Sequence, residues 1–152
     1  MAKSLYTARA HVTGGREQGH GVTSDGVLDM QLRTPVEMGG KGGGTNPEQL
    51  FAIGYAACFE GALGVIGRRE RVELGAVAID SAVSLITTEN RGFNVSVVLD
   101  VSLPGVSDGE RAVSMVAAAH EVCPYSNATR DNVEVTLKAN GLAVPVPTQV
   151  RD

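Results

Sequence analysis

A single apolar stretch, Leu50 to Ile66, together with the polar residues just before it, constrains the fold more than any other part of the chain. Asn46 can cap a helix at this point, Pro47 suits its first position, and Gln49 can answer the cap from three residues on. Apolar side chains then cover most of the helical circumference, which is typical of a helix enclosed on several sides. They are Leu50, Phe51, Ile53, Ala56, Ala57, Cys58, Phe59, Ala62, Leu63, Val65 and Ile66. The stretch therefore predicts a central helix.

A membrane span is a poorer interpretation of the same stretch. It is interrupted by Glu60 and by glycines, and it is short for the ~20 residues that a bilayer requires. The N-terminus lacks the apolar run of a signal peptide, which predicts a cytoplasmic protein. The chain has 13 Lys and Arg against 17 Asp and Glu, a net charge of −4, without the basic face that nucleic-acid binding requires. We therefore expect neither a membrane nor a nucleic acid as partner.

Alternating segments precede the central helix. Residues 6–13, 20–23 and 27–32 read as strands, and Asp25-Gly26 supplies a tight turn between the last two. The pattern predicts an antiparallel hairpin.

A second set of elements follows the helix. Residues 76–85 and 92–103 predict another antiparallel pair, and residues 133–137 predict a late strand. Between them, Ser107 and Glu110 have the spacing of a capping box, and the helix that follows should end near Cys123 because Pro124 comes next. This order predicts an α+β fold in a single domain over residues 1–152.

Two cysteines are the candidates for redox chemistry. Cys58 lies in the middle of the central helix, and Cys123 lies at the end of the next one. A free cysteine is often only a small buried apolar side chain, whereas a nucleophilic one needs a lowered thiol pKa. An arginine could lower it, and Arg16, on a glycine-rich loop, is a candidate, although a loop arginine is also typical of a solvated charge.

Other site chemistries find little support in the sequence. Three His and two Cys without ligand spacing predict no metal site. Lys41 precedes Gly42 rather than Ser or Thr, so the glycine-rich loop is not a phosphate-binding loop. The Gly-x-Ser-x-Gly elbow of serine hydrolases is absent.

Five segments closely resemble the organic hydroperoxide resistance (Ohr) branch of the OsmC/Ohr family, and the resemblance extends over essentially the whole chain. They are Thr13-Gly14-Gly15-Arg16, Ser24-Asp25-Gly26-Val27-Leu28-Asp29, Gly44-Thr45-Asn46-Pro47-Glu48-Gln49-Leu50-Phe51-Ala52, Gly54-Tyr55-Ala56-Ala57-Cys58-Phe59 and Val122-Cys123-Pro124-Tyr125-Ser126-Asn127-Ala128-Thr129. The resemblance implies antiparallel sheets around two central helices in an intertwined homodimer. It also implies a thiol-dependent peroxidase that reduces organic hydroperoxides, especially those of fatty acids. No bound cofactor is implied; the reductant would be a dithiol, namely the lipoyl group of dihydrolipoamide or of a lipoylated protein.

The resemblance further implies roles for four residues. Cys58 would be the peroxidatic cysteine, Cys123 the resolving one, Arg16 the activating arginine, and Glu48 the carboxylate that holds it. We also expect an apolar groove around Cys58 that suits a lipid-like substrate. Its predicted lining is Phe51, Ile53, Phe59 and Leu63.

The spacing of Glu48 and Cys58 raises a geometric difficulty. On one unbroken helix, ten residues separate them by roughly 15 Å of rise and leave them on different faces. Unless the helix breaks, for which Gly54 is the best place, a single chain cannot bring Arg16 from Glu48 to Cys58. With the implied dimer, we predict a composite site in which Arg16 and Glu48 of one subunit face Cys58 and Cys123 of the other.

Two other functions stay open at this point. A redox sensor or thiol-binding module on the same fold would be oxidised without turning over. A structural dimer would carry inert cysteines. Steady-state consumption of an alkyl hydroperoxide with a dithiol donor distinguishes the enzyme from the redox sensor or thiol-binding module.

Overall fold

The computed structural model describes residues 2–147. Contacts between residues divide the chain into two compact units, one up to residue 50 and one from residue 51 on. The boundary falls just after the first turn of the central helix.

The first unit is built on a three-stranded antiparallel sheet. Its strands are β1 (Ala10–Thr13), β2 (Gln18–Thr23) and β3 (Asp29–Arg33), in the order β1-β2-β3. The predicted Asp-Gly turn joins β2 to β3, with Gly26 in the left-handed region at φ +73°. Asp25 closes this turn because its Oδ1 accepts hydrogen bonds from the Val27 amide and the Thr23 hydroxyl. The predicted hairpin is confirmed, although β1 is shorter than expected.

The chain then returns to β3 before the central helix begins. A short 3₁₀ helix (Val36–Met38) turns it, and Thr45 forms a parallel bridge with Leu32. The Thr45 amide donates to the Gln31 carbonyl at 2.9 Å. These bonds fix the start of the helix against the sheet of the first unit.

The central helix α1 runs from Pro47 to Glu70 without a break at Gly54. Asn46 caps it as predicted, since its Oδ1 accepts from the Gln49 amide at 2.9 Å. The side chain of Gln49 does not return to the cap residue; its Oε1 accepts from the Thr45 hydroxyl at 2.8 Å. The side chain of Gln49 therefore contacts Thr45, one residue before Asn46, its predicted partner.

Within one copy of the chain, α1 is covered on one side. Its buried positions repeat at helical spacing, whereas Ile53 on another face is 71% exposed. The buried residues are Tyr55, Phe59, Ala62, Leu63, Ile66 and Gly67. The expectation of a helix enclosed on several sides is therefore not met by a single copy.

By length and composition alone, α1 could cross a membrane, with 24 residues and a mean hydropathy of 1.6 in its most apolar window. Core helices of globular proteins share these properties. The buried face of α1 packs into the core of the second unit through Phe59, Leu63 and Ile66, which favours a core helix.

The second unit adds a four-stranded sheet and two more helices. Its elements are β4 (Ala78–Thr87), β5 (Phe93–Ser102), α2 (Gly109–Val122), α3 (Pro124–Thr129), β6 (Glu134–Ala139) and β7 (Leu142–Val144). The strand order is β4-β5-β6-β7. The predicted antiparallel pair β4–β5 is confirmed, while β5 and β6 run parallel. A parallel pair requires a crossover, and α2 with α3 provides it. The sequence patterns did not predict α3, β7 or the parallel pairing.

The cap of α2 differs from the prediction. Asp108 rather than Ser107 is the N-cap, because its Oδ1 accepts from the amides of Glu110 and Arg111 at 2.9 and 3.2 Å. A capping box starting at Ser107 is therefore wrong by one residue. The C-terminal end is as predicted: α2 stops at Val122, just before Cys123.

The core of the second unit lies between its sheet and its helices. Alternate residues of β5 point inward, as the pleat requires, and meet the apolar faces of α1 and α2. The inward residues of the sheet include Val97, Leu99, Val101, Leu137 and Ala139, and those of α2 include Ala112, Met115, Val116 and Ala119. The predicted α+β class is confirmed, and Cys123 belongs to this core.

Candidate redox site

Two elements of the second unit bring the cysteines together. Cys58 lies on α1 and is partly buried, while Cys123 is fully buried in the corner between α2 and α3. Cys123 is extended, with φ −66° and ψ 124°, as Pro124 after it requires. The two Sγ atoms lie 3.8 Å apart and both thiols are free. A disulfide would shorten this distance by about 1.8 Å, so the pair is close enough to be joined by a small movement.

The surroundings of Cys58 oppose its ionisation. Burial raises the pKa of its thiol, and the neighbouring Cys123 raises it further. A hydrogen bond from the backbone amide of Tyr125 lowers the same pKa, but burial is the larger effect. A reactive thiolate at this position therefore requires a cation to favour the charged form.

Three aromatic rings surround the start of the α3 helix. Phe51, Tyr55 and Tyr125 have ring centroids 5.6–5.9 Å apart, in edge-on and tilted arrangements. Gly54 permits this approach, since a Cβ there would lie 3.0 Å from the Tyr125 phenol oxygen. The absent side chain at residue 54 thus lets Tyr125 lie against α1.

A buried hydrogen-bonded network lies behind this cluster, and the sequence analysis missed it. The Tyr55 phenol oxygen lies 2.9 Å from Oγ of Ser126 and 3.2 Å from Oγ1 of Thr129, and Nδ1 of His120 lies 2.8 Å from Ser126 Oγ. Burial raises the pKa of Tyr55; burial and the charge of Arg130 lower that of His120. Both groups are thus held neutral. Tyr55 and Ser126 are 71 residues apart, and the one signal available in the sequence was that Ser126 closely follows Cys123.

The first unit brings together the other two predicted site residues. Arg16 lies in the turn between β1 and β2, where Gly14 and Gly15 have φ of +70° and +62°. Its Nη2 donates to Oε2 of Glu48, in the first turn of α1, at 2.6 Å. The carboxylate is more buried than the guanidinium, with side-chain exposures of 16% and 34%. Arg16 Nε is buried and, among the described residues, has no hydrogen-bond partner, so the guanidinium retains a free donor.

The four residues predicted to line an apolar groove are placed differently from one another. Phe59 and Leu63 are fully buried in the core, so neither is open to a ligand in this conformation. Phe51 packs against Tyr55 and Tyr125, and Ile53 is largely exposed. The structure therefore does not gather the four on one open surface of a single chain, and the groove stays a prediction.

The described part of the chain does not bring potential metal ligands together. Residues 2–147 contain no group of three or more His, Cys, Asp or Glu side chains able to hold an ion.

Comparison with known proteins links this geometry to a family. The family model for OsmC-like protein matches residues 40–138, and this match spans the boundary between the two units. An organic hydroperoxide resistance protein of Xanthomonas axonopodis pv. citri is 53% identical over 137 residues, covering 89% of this chain and 94% of that protein. The organic hydroperoxide resistance protein OhrB of Bacillus subtilis is 46% identical over 136 residues, covering 89% and 98%.

A solved structure has the same fold. The crystal structure of an organic hydroperoxide resistance protein of Legionella pneumophila superposes with a TM-score of 0.84 at 49% sequence identity. The match covers 90% of this chain and 98% of that one, so both units have counterparts there.

Proposed function

This chain belongs to the organic hydroperoxide resistance branch of the OsmC/Ohr family, and from that premise we propose that it is a cysteine peroxidase for organic hydroperoxides of the fatty-acid type. Membership of the branch gives it a role in the detoxification of organic hydroperoxides. The observation that carries the proposed mechanism is the 3.8 Å distance between the sulfurs of Cys58 and Cys123.

Cys58 is the nucleophile of the first step. Its thiolate attacks the distal oxygen of the hydroperoxide, so an S–O bond forms while the O–O bond breaks. The alkoxide that leaves takes up a proton and departs as the alcohol. Sulfur is oxidised to the sulfenic acid and the peroxide is reduced.

Cys123 carries out the second step. Its sulfur attacks the sulfenic sulfur of Cys58, forming the S–S bond and releasing the oxygen as water. A dithiol then reduces the disulfide by two exchange reactions and returns both thiols. We assign the role of the reducing dithiol to the lipoyl group of dihydrolipoamide or of a lipoylated protein in the cytoplasm. No cofactor is bound to the chain itself in this proposal.

Arg16 supplies the cation that the buried Cys58 requires. Glu48 holds the guanidinium at 2.6 Å, and the side chain of Arg16 stays 34% exposed, so its positive charge is available to favour a thiolate beside it. Because α1 is continuous, its helical rise places Glu48 and Cys58 roughly 15 Å apart along one chain. We therefore assign Arg16 and Glu48 of one subunit to Cys58 and Cys123 of the other.

A homodimer is supported by the apolar surface of the first unit. Among its described residues, Leu32 is the one large apolar side chain that is buried, while several others are exposed. Contiguous exposed apolar surface is typical of an interface. The exposed side chains are Leu5, Tyr6, Val12, Val27, Leu28, Val36 and Met38, with Ile53 on α1.

A peroxidase assay tests the proposal directly. The full chain is mixed with an alkyl hydroperoxide and dihydrolipoamide, and hydroperoxide consumption is followed through many turnovers. We expect wild type to turn over and Cys58→Ser to be inactive, since a hydroxyl cannot supply a comparable nucleophile.

Cys123→Ser is the matched control, because it makes the same replacement of sulfur by oxygen at the other cysteine. It should consume one equivalent of hydroperoxide and then stop as the sulfenic acid or a higher oxide. If both variants failed equally to consume the first equivalent of hydroperoxide, the assignment of Cys58 to the first step and Cys123 to the second would be contradicted. A wild type that is oxidised once and is not recycled by any dithiol would instead be a redox sensor.

A further inference from the structure

The buried network behind the cysteines joins three helices at one point. Tyr55 belongs to α1, His120 to α2, and Ser126 and Thr129 to α3. All four side chains are buried. We call them the corner network.

The three hydroxyls of the corner network and Nδ1 of His120 can all be satisfied by a single order of donors. His120 Nδ1–H donates to Ser126 Oγ, Ser126 donates to Tyr55, and Tyr55 donates to Thr129. The Thr129 hydroxyl then donates to the backbone carbonyl of Ser126 at 3.2 Å. A buried polar network with all its partners present is rigid and holds its members in one arrangement.

Cys123 lies at the centre of the segment that the network holds. His120 is three residues before it and Ser126 three residues after it, so their hydrogen bond closes the α2–α3 corner around the cysteine. Arg130 holds the same corner from the surface, donating to the His120 carbonyl and to Oδ1 of Asn127, each at 3.0 Å. The backbone position of Cys123 is therefore fixed from two sides.

The Tyr55 hydrogen bond connects that corner to the helix that carries Cys58. Tyr55 precedes Cys58 by three residues on α1, and side chains with this spacing lie on the same side of a helix. The contact with Ser126 thus sets the separation of the two sulfur-bearing segments, and only about 1.8 Å remains to be closed between the sulfurs for a disulfide.

We propose that the corner network positions Cys123 for attack on the sulfenic acid of Cys58, and so sets how often the disulfide forms before a second hydroperoxide reacts. The sulfenic acid has two fates. In one, Cys123 attacks its sulfur, the S–S bond forms and water leaves. In the other, the sulfenate attacks a second hydroperoxide, an S–O bond forms, the O–O bond breaks, and sulfinic acid and alcohol result. This inference rests on the proposed function, and its residues are positioning residues that do not contact the reacting atoms.

The test separates the two steps in the full-length protein. Reduced protein is mixed with one equivalent of cumene hydroperoxide, and rapid quenching with mass spectrometry follows loss of the Cys58 thiol and gain of the disulfide. Tyr55→Phe removes the hydrogen bonds of Tyr55 to Ser126 and to Thr129, and we expect disulfide formation to slow about 10- to 30-fold, the factor that corresponds to the loss of two net hydrogen bonds. Thiol loss should stay within about twofold of wild type, and excess hydroperoxide should give more sulfinic acid.

Ser126→Ala also removes two hydrogen bonds of the network, those to Tyr55 and His120, and should slow disulfide formation to a similar extent. The matched control is Ser114→Ala, which removes the same hydroxyl at an exposed position of α2 and should behave as wild type. If Ser126→Ala does not fold, Tyr55→Phe carries the test alone. Unchanged disulfide formation in Tyr55→Phe, or equal slowing of both steps, would overturn the positioning role. A wild type that loses the Cys58 thiol without forming a disulfide would instead overturn the proposed function on which the inference rests.

Discussion

His120 shows how one buried side chain can link stability to pH. It is 4% exposed, and its hydrogen-bond partner in the corner network is a neutral hydroxyl. Burial first, and then the charge of Arg130, lower its pKa below the usual 6.5, while Glu121 opposes the shift. The folded protein therefore keeps this imidazole neutral at a pH where the unfolded chain already binds a proton.

The sign of the resulting pH dependence follows from this difference. As pH falls through 6.5, protons bind to the unfolded chain first, so the stability contributed by neutral His120 is lost toward acid pH. The unfolding free energy should fall by up to about 1.4 kcal/mol per pH unit in this window from this group. Urea unfolding at pH 7.5, 6.5 and 5.5 measures it. In His120→Asn this component of the slope should vanish, and in Ser114→Ala, on the exposed side of α2, it should persist. An identical slope in His120→Asn and wild type would show that another group is responsible.

At the scale of elements, the predicted substrate groove and the core of the second unit depend on the same helix, α1. Its inward face is filled by the core, so an alkyl chain can contact only the remaining faces, where Ile53 is exposed and Phe51 half-buried. If such a contact forms, kcat/KM should rise with the apolar size of the hydroperoxide. Each buried methylene contributes about 0.8 kcal/mol, close to a fourfold change.

Steady-state kinetics with hydrogen peroxide, tert-butyl hydroperoxide, cumene hydroperoxide and a fatty-acid hydroperoxide check this prediction. Ile53→Ala should reduce the preference for the larger substrates and leave the reaction with hydrogen peroxide nearly unchanged. Ile86→Ala, which truncates the same side chain at an exposed position of β4, is the matched control. A wild type that prefers hydrogen peroxide would rule out the groove.

What the sequence could predict at this scale depended on how local the signal was. The Asn46 cap and the Asp25-Gly26 turn are settled within a few residues, and both were predicted. The α2 cap was misplaced because Ser107 and Asp108 are adjacent residues that can both cap, and the chain geometry chooses between them. Pro124 was treated as the end of a helix, although proline also suits the first position of one, and α3 starts there.

Local sequence patterns could not predict contacts between residues that are distant in the chain. The parallel pairing of β5 with β6 depends on how the α2–α3 crossover packs, which no local pattern records. The hydrogen bond of Tyr55 to Ser126 spans 71 residues and involves types that are common in any core. The pairing of Cys58 with Cys123 and of Arg16 with Glu48 came from the family motifs, not from spacing, and the structure brings each pair into contact.

For the whole molecule, the central question is which chain supplies the cation to which thiol. The first unit holds Arg16 on Glu48, and the second holds Cys58 beside Cys123. The first unit also leaves most of its apolar side chains exposed, which a second copy of the chain would cover. A dimer in which each subunit lends its arginine to the other accounts for both observations, and size-exclusion chromatography should show two chains per particle.

Complementation between two inactive variants tests this exchange. Arg16→Ala should fold yet react slowly with hydroperoxide, because the buried thiolate loses its cation, and Cys58→Ser should not react. A heterodimer of the two, purified through a different tag on each chain, contains one site with both Arg16 and Cys58 if the site is composite. It should then recover about half the activity of the wild-type dimer. The same heterodimer has no complete site if each chain uses its own arginine, so activity no higher than that of Arg16→Ala would refute the exchange. Wild type paired with Cys58→Ser is the positive control, since it keeps one complete site under either arrangement and fixes the value that half activity should have.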